Sequence, residues 1–303
     1  DARPRPVDRP DPSPPLAARP RVLSVTDIET LIRDPYAIYA KRVLRLVPLD
    51  PPGLAPDPAL RGSLVHDALG DFITEWTGRF DAAAEARLGA IGREKLKAIA
   101  DFPDVLSIWS LRFAAITRWF IVFEAARDAF VAERHAEING QLEFATAGGT
   151  FRLTGRADRI DLMKNGTVAI YDFKTGSPST ERQVFAGLTP QMTLEAAMTR
   201  QGAFRPEFAD KSVSELAWLV LGRVQRSEPY QSAVAKNGKE SADGLGDRAL
   251  TMLKALVAAY DDAERGYLSR ARPITERGPF RGDYDHLARV REWALVESPE
   301  DFL

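Results

Sequence analysis

The sequence predicts an α/β protein: a mixed sheet flanked by helices, with a large helical part in front of it. Three observations predict this. Residues 61–137 carry apolar positions at helical spacing. From Gln141 the pattern changes to short alternating segments separated by Gly-containing turns. Beyond residue 176 helix and strand patterns alternate, with a helix from about Pro190, a continuous apolar run LAWLVLG at 216–222, and a helix over 246–270.

The chain begins DARPRPVDRPDPSPPLAARPR, residues 1–21, too rich in Pro, Arg and Asp to pack a core. This stretch predicts an extended, semi-rigid linker, and the chain reads as the C-terminal piece of a longer protein cut there. In SVTDIETLIRDPYAIYAKRVLRL (24–46), Ser24 or Thr26 can cap a helix whose first turn holds Asp27 and Glu29, and Pro35 starts a second helix. The stretch 48–58, PLDPPGLAPDP, is a loop. RGSLVHDALGDFITEW (61–76) is a helix carrying His66. The segment 104–134 is apolar on most faces and predicts a central buried helix. The reading divides the chain into a linker (1–21) and one domain (22–303). That domain comprises a helical part (22–137), a sheet core (138–225) and a C-terminal helical part (226–303).

Composition narrows the chemistry. The formal net charge of −2 leaves any nucleic-acid contact to local basic residues. No uninterrupted apolar run reaches the ~18 residues of a membrane span. There are no cysteines, so this sequence offers no disulfide, thiolate metal site or cysteine nucleophile. With three histidines, His66, His135 and His286, any metal would lean on carboxylates, which suit hard ions such as Mg²⁺ or Mn²⁺.

The chemistry concentrates in GRADRIDLMKNGTVAIYDFKTG, residues 155–176, a hairpin with three aspartates in a buried pattern. Strand alternation sets Asp172 and Lys174 on one face and Tyr171 and Phe173 on the other. Turn length decides which aspartate joins them. A two-residue Asn165-Gly166 loop pairs Lys164 with Thr167 and sends Asp158 to the wrong face. A three-residue loop, Lys164-Asn165-Gly166, puts Gly at its left-handed position, pairs Met163 with Thr167 and sets Asp158 opposite Asp172. The Cβ atoms would then be roughly 4.5–5.5 Å apart. A bulge would reverse this assignment. Two carboxylates so close ask for a cation between them. Lys174 beside them can serve an attacking water or offset phosphate charge, so the constellation is one for phosphodiester hydrolysis. Arg159 and Asp161 read as a structural ion pair. Arg156 would oppose Lys174, where it is either a phosphate contact or a solvated charge. Arg42, Arg45, Arg61, Lys236 and Lys239 could line a DNA path, although scattered basic residues are usually just solvated.

G-R-A-D-R-I-D followed by Y-D-F-K-T-G resembles the PD-(D/E)XK nucleases of the RecB type. R-G-S-L-V-H upstream and P-Q-M-T-L-E downstream stand in that family's order, and residues 24–46 resemble the opening of the nuclease domain of AddB, a subunit of bacterial AddAB helicase–nucleases. The resemblance covers roughly 24–200. It implies a restriction-endonuclease-like core and a divalent ion, Mg²⁺ with Mn²⁺ as substitute. The ligands it implies are His66, Asp158, Asp172 and the Phe173 backbone carbonyl. Lys174 would serve the attacking water, and Gln191 would buttress the site or touch DNA. The implied substrate is single-stranded DNA or an unwound duplex, degraded in double-strand-break repair. The implied partners are an AddA-like subunit and the rest of an AddB-like chain, in a bacterial cytoplasm and without a membrane. A standalone RecB-like nuclease and a non-catalytic DNA-binding module are the competing readings. Two departures stand out. Many AddB relatives bind an iron–sulfur cluster through four cysteines, whereas here Phe280, Asp283 and Arg289 occupy 278–293, so packing or salt bridges must pin that segment. The family's Tyr four residues after the Gln is Glu195 here.

Overall fold

The computed structural model describes residues 8–49, 55–223, 229–234, 240–271 and 282–293. The chain enters through a short strand β1 (Val22–Ser24) and passes into α1 (Val25–Arg33) by a capping box in which Ser24 and Asp27 bond each other's backbone N–H. Pro35 opens α2 (Pro35–Ile38), continued by a π-helical turn. Then come α3 (Pro58–Glu75), α4 (Ala82–Leu96) and α5 (Pro103–Arg127).

The strand β2 (Val131–Thr146) starts earlier than periodicity predicts, within residues expected to be helical. Its first residues include helix formers, but β3 (Gly149–Met163) offers a full edge of backbone groups that β2 satisfies from Val131 to Thr146. Along its other edge β3 is shared. Parallel β1 takes residues 152–154, and antiparallel β4 (Val168–Lys174) takes 159–162. Residues 155–158 therefore lie between two partners and belong to neither. The sheet continues through parallel β5 (Val213–Val220) to β6 (Tyr230–Ser232). A short helix α6 (Glu181–Phe185) and α7 (Gln191–Arg200) lie between β4 and β5; α8 (Ala242–Ala259) and α9 (Val290–Trp293) follow β6.

Alternation sorts the core into two layers. Val168, Ile170, Leu216 and Val220 pack with residues of α1, α7 and α8. Ala169, Tyr171, Phe173, Ala217 and Leu219 pack with residues of α3, α4 and α5. The mixed sheet flanked by helices is the predicted fold class.

Three expectations need correction. Residues 8–21, read as linker, lie along the C-terminal part of the chain: the carbonyls of Pro10 and Pro12 accept from Ser269 and Tyr267 N–H, both at 2.9 Å. Buried Arg19 donates to the carbonyls of Tyr260, Asp262 and Ala263 at 2.8–2.9 Å, closing the end of α8. That capping is why α8 stops at Ala259 rather than running to 270. Prolines cannot donate, but their carbonyls still pair with a neighbouring chain. Third, α5 is not central. Trp109, Phe113 and Phe120 are buried while Leu111 and Val122 are 74% and 69% exposed on its outer side. By length and composition α5 is the one described helix that could cross a membrane; here Arg112 and Arg118 interrupt it and its aromatic side covers the sheet.

The segment 282–293, where a cysteine pin was missing, is held by packing and polar ties. Tyr284 Oη donates to the Leu46 carbonyl at 2.8 Å, Arg270 Nη2 meets Asp285 at 2.6 Å, and Trp293 is buried under Arg9. Phe280, Lys236 and Lys239 lie outside the described residues.

Candidate active site

The β3–β4 turn is the three-residue loop. Met163 N–H donates to the Thr167 carbonyl at 2.8 Å, and Gly166 takes the left-handed φ of 83°. Leu162 pairs with Val168 and Arg159 with Tyr171. One more rung would oppose Asp158 to Asp172, but the ladder stops there. Instead of a ladder carbonyl, Asp158 Oδ2 takes the Phe173 N–H at 2.8 Å. The strands thus part where the two aspartates meet. In an extended strand a residue's N–H and C=O leave on the same edge, so the Phe173 carbonyl also faces β3.

The parted strands gather side chains from three other elements. His66 on α3 sets Nδ1 3.3 Å from Asp158 Oδ2, and Phe173 packs edge-on to its ring at 5.6 Å. Burial opposes the charged imidazole, but Asp158 and then Asp172 outweigh it and hold the His66 pKa above its ordinary value. Lys174 Nζ lies 2.7 Å from Asp172 Oδ2. Burial works against the ammonium too, and Asp172 overcomes it, so Lys174 is held protonated. Gln191, the first residue of α7, donates to Asp172 Oδ1 at 3.0 Å and to Glu195 Oε1 at 3.2 Å.

The cluster carries more acid than base. Burial, reinforced by Asp158, pushes the Asp172 carboxyl up to about 6 against the pull of Lys174. Fully buried Glu195 is pushed well above the carboxylate range, by burial first and then by Asp172 and Asp158. Asp172 Oδ2 is buried and accepts no aligned hydrogen bond, although the Lys174 ammonium is close. The Asp172 carboxylate is thus held by one ammonium and one amide among several acids.

One residue escaped the sequence reading. Glu137 sits in β2 between the Ala136–Arg159 and Ile138–Ala157 pairs, with a left-handed φ of 55° that no glycine relieves. Such backbone costs on the order of 1–3 kcal/mol and collects at functional sites. The kink aims Glu137 at Asp158 and His66: one ligand atom of each lies within 4.8 Å of the others. Burial and then Asp158 raise the Glu137 carboxyl. Gly70, one turn after His66, makes room, since a Cβ there would lie 2.7 Å from Glu137 Cγ. No periodicity marks Glu137; only its position across from Asp158, visible once β2 and β3 are in register, could have found it. The donor set is hard and oxygen-rich with one imidazole, which fits a divalent ion such as Mg²⁺ or Mn²⁺.

The other sequence candidates separate. Arg156 is spent on Glu137 at 2.6 Å, with most of its side chain in solvent. Arg42 is bound to Asp27. Arg61 lines a cavity beside the site. Asp161 belongs to the opposite face, as read. It is fully buried, with Arg159 at 2.7 and 2.8 Å and Arg127 at 2.8 Å.

Residues 22–275 match the family model of the PD-(D/E)XK nuclease superfamily, and the chain belongs to that superfamily. An uncharacterized protein of Rickettsia typhi is 31% identical over 231 residues, 73% of this chain and 27% of its own length. Another, of Rickettsia felis, is 32% identical over 189 residues, 61% of this chain and 22% of its own. The chain thus spans about a quarter of the length of these curated relatives. Among solved structures, the crystal structure of SSO0001 is similar over 77% of each chain at 12% identity, with a TM-score of 0.29, too loose a likeness to bear on the fold.

Proposed function

We propose that this member of the PD-(D/E)XK superfamily is a metal-dependent DNA nuclease domain of AddB-like type, hydrolysing phosphodiesters on single strands during double-strand-break repair. One observation carries the chemistry. Where β3 and β4 part, Asp158, Asp172, Lys174 and His66 converge, and Glu137 and Glu195 add further carboxyl groups to the same cluster. His66, Asp158 and Glu137, with Asp172 beside them, would hold a divalent ion; bound there, it would supply Lewis-acid stabilisation of the phosphate.

The chain's own residues have distinct tasks. Lys174 keeps its proton and presents a fixed positive charge to a phosphate oxygen or a water. Gln191 fixes the rotamer of Asp172 by donating to Oδ1, with Oδ2 turned to Lys174. Phe173 N–H locks Asp158, and the Phe173 ring orients His66. Lys174 and Gln191 also line a cavity of about 720 Å³ with Trp218 and Tyr284. The AddB-like assignment, the AddA-like partner and the exonucleolytic mode are supported by the opening segment 24–46 and by the motif order, and concern a longer protein.

The test is degradation of a labelled single-stranded oligonucleotide with Mg²⁺ or Mn²⁺. The wild-type chain should degrade it and Asp172→Ala should not. Equal rates in matched preparations would sink the assignment.

A further inference from the structure

A second cavity lies on the other side of the Lys174 strand end. Its volume is about 480 Å³, and residues 175–177, directly after Lys174, form one wall. The backbone there is clamped. A Cβ on Gly222 would sit 2.2 Å from the Thr175 carbonyl, and one on Gly62 would sit 3.2 Å from Thr175 Oγ1. This pins the start of α3 against the strand end. Arg61, next to Gly62, and Arg112 from α5 both line the cavity. Neither has an ion-pair or hydrogen-bond partner among the described residues. Burial and then the Arg112 charge both pull the Arg61 pKa down, and the two guanidiniums share a space that no carboxylate among the described residues lines. The rest of the wall is apolar and aromatic, with Leu64, Trp109 and Phe113.

Several arginines of the buried and half-buried clusters are placed against acids. Arg159, Arg127 and Arg134 take Asp161 and Glu124, Arg156 takes Glu137, and Arg42 takes Asp27. The pair in this cavity is left with positive charge and an aromatic wall, which together match one ligand chemistry: an anion carrying a flat apolar group. The position defines it further. Arg61 precedes His66 by five residues on α3, roughly 7–8 Å of helix rise. A chain held at the carboxylate cluster would reach the cavity with its next unit.

We propose that this cavity is a nucleotide subsite. Arg61 and Arg112 hold the phosphate adjacent to the one being cut, and Trp109 with its apolar neighbours receives the base. The inference rests on the nuclease reading above and extends it to a substrate contact outside the metal cluster.

The test is calorimetric titration of the 303-residue chain with thymidine monophosphate in excess EDTA, which removes metal from the carboxylate cluster. Binding should be seen without metal. Arg61→Gln and Arg112→Gln should each weaken it about tenfold, the loss of one charge-assisted contact. Arg112 is exposed, so its variant is expected to fold, and matched thermal melts check both. Inorganic phosphate should bind more weakly than the nucleotide, and Trp109→Ala should erase that difference. The subsite is refuted by no nucleotide binding in EDTA, by binding that appears only with Mg²⁺, or by binding that ignores both arginine substitutions. The two readings fail separately. DNA cleavage with arginine-insensitive nucleotide binding removes the subsite alone. Arginine-dependent nucleotide binding in a chain that cleaves nothing removes the catalytic assignment alone.

Discussion

The same hairpin builds two charge clusters on neighbouring rungs. Around Asp161, each carboxylate oxygen of Asp161 and Glu124 accepts from an arginine, and Arg127 also reaches Tyr171 Oη at 2.7 Å. Around Asp172, acids outnumber bases, and Asp172 Oδ2 is buried without an aligned donor. Both clusters bury their central carboxylates, Asp161 and Asp172, so burial of the acid alone does not distinguish them. Balance does. A cluster with its charges matched holds the fold in one register; a cluster with surplus acid holds room for a cation. The Arg159 charge is stabilised by its partners beyond its ordinary range, whereas the Asp172 charge is opposed.

The largest expected effect attacks the balanced cluster. Arg159→Met leaves Glu124 and Asp161 buried with their central partner gone. A loss of about 3–5 kcal/mol is expected, enough to prevent folding in a marginal background. Urea denaturation followed by circular dichroism measures it; a loss under about 1 kcal/mol would mean that the network is not holding the hairpin.

Lys174→Ala strikes the unbalanced cluster and should separate activity from stability. A drop of roughly 10²–10⁴-fold in cleavage rate is expected, with the fold kept. Cleavage rate and melting temperature on one preparation decide the point, and parallel loss of both would make Lys174 structural.

Glu137→Gln removes one ligand charge while keeping the shape. Weakening of Mn²⁺ binding by about 10–100-fold is expected by calorimetry. Unchanged affinity would confine Glu137 to its pair with Arg156.

The smallest effect is a pH dependence. The Asp172 carboxyl rises from 3.8 to about 6 through burial first and then Asp158. A raised folded pKa contributes stability that is complete below the unfolded value and lost as pH rises through about 6. Glu195, Glu137 and His66 are also raised and act with the same sign. In EDTA, wild type should therefore lose more stability than Asp172→Asn between pH 5 and 7.5, a gap of about 2–4 °C in melting temperature. Mg²⁺ should narrow the gap, because it binds the deprotonated carboxylates. Identical slopes for the two proteins would contradict the raised pKa.

Much of this was legible in the sequence because its signals are local. A capping box at Ser24, a proline at 35 and a glycine three residues into a turn each act within a few residues. The three-residue loop alone settles which face Asp158, Asp161, Asp172 and Lys174 occupy, since side chains alternate with period two. What was not legible depends on partners distant in sequence. Residues 131–137 were read as helix because their helix propensity is real, but an unpaired edge of β3 outweighs it. The proline-rich start was read as a linker because no donor was visible for its carbonyls; Tyr267 and Ser269 supply them from the far end of the chain.

The sequence by itself determined the alternation, the turn and hence the pairing of an acid dyad with a lysine, all set by covalent geometry over short spans. Only the tertiary structure decided that the ladder stops one rung short of the dyad, that β1 and β4 leave residues 155–158 of β3 between them, and that a strained Glu137 and His66 on α3 fill that gap. The reason is physical. A strand's register is fixed by its nearest turn, but the place where two strands part is fixed by what the other layers insert between them.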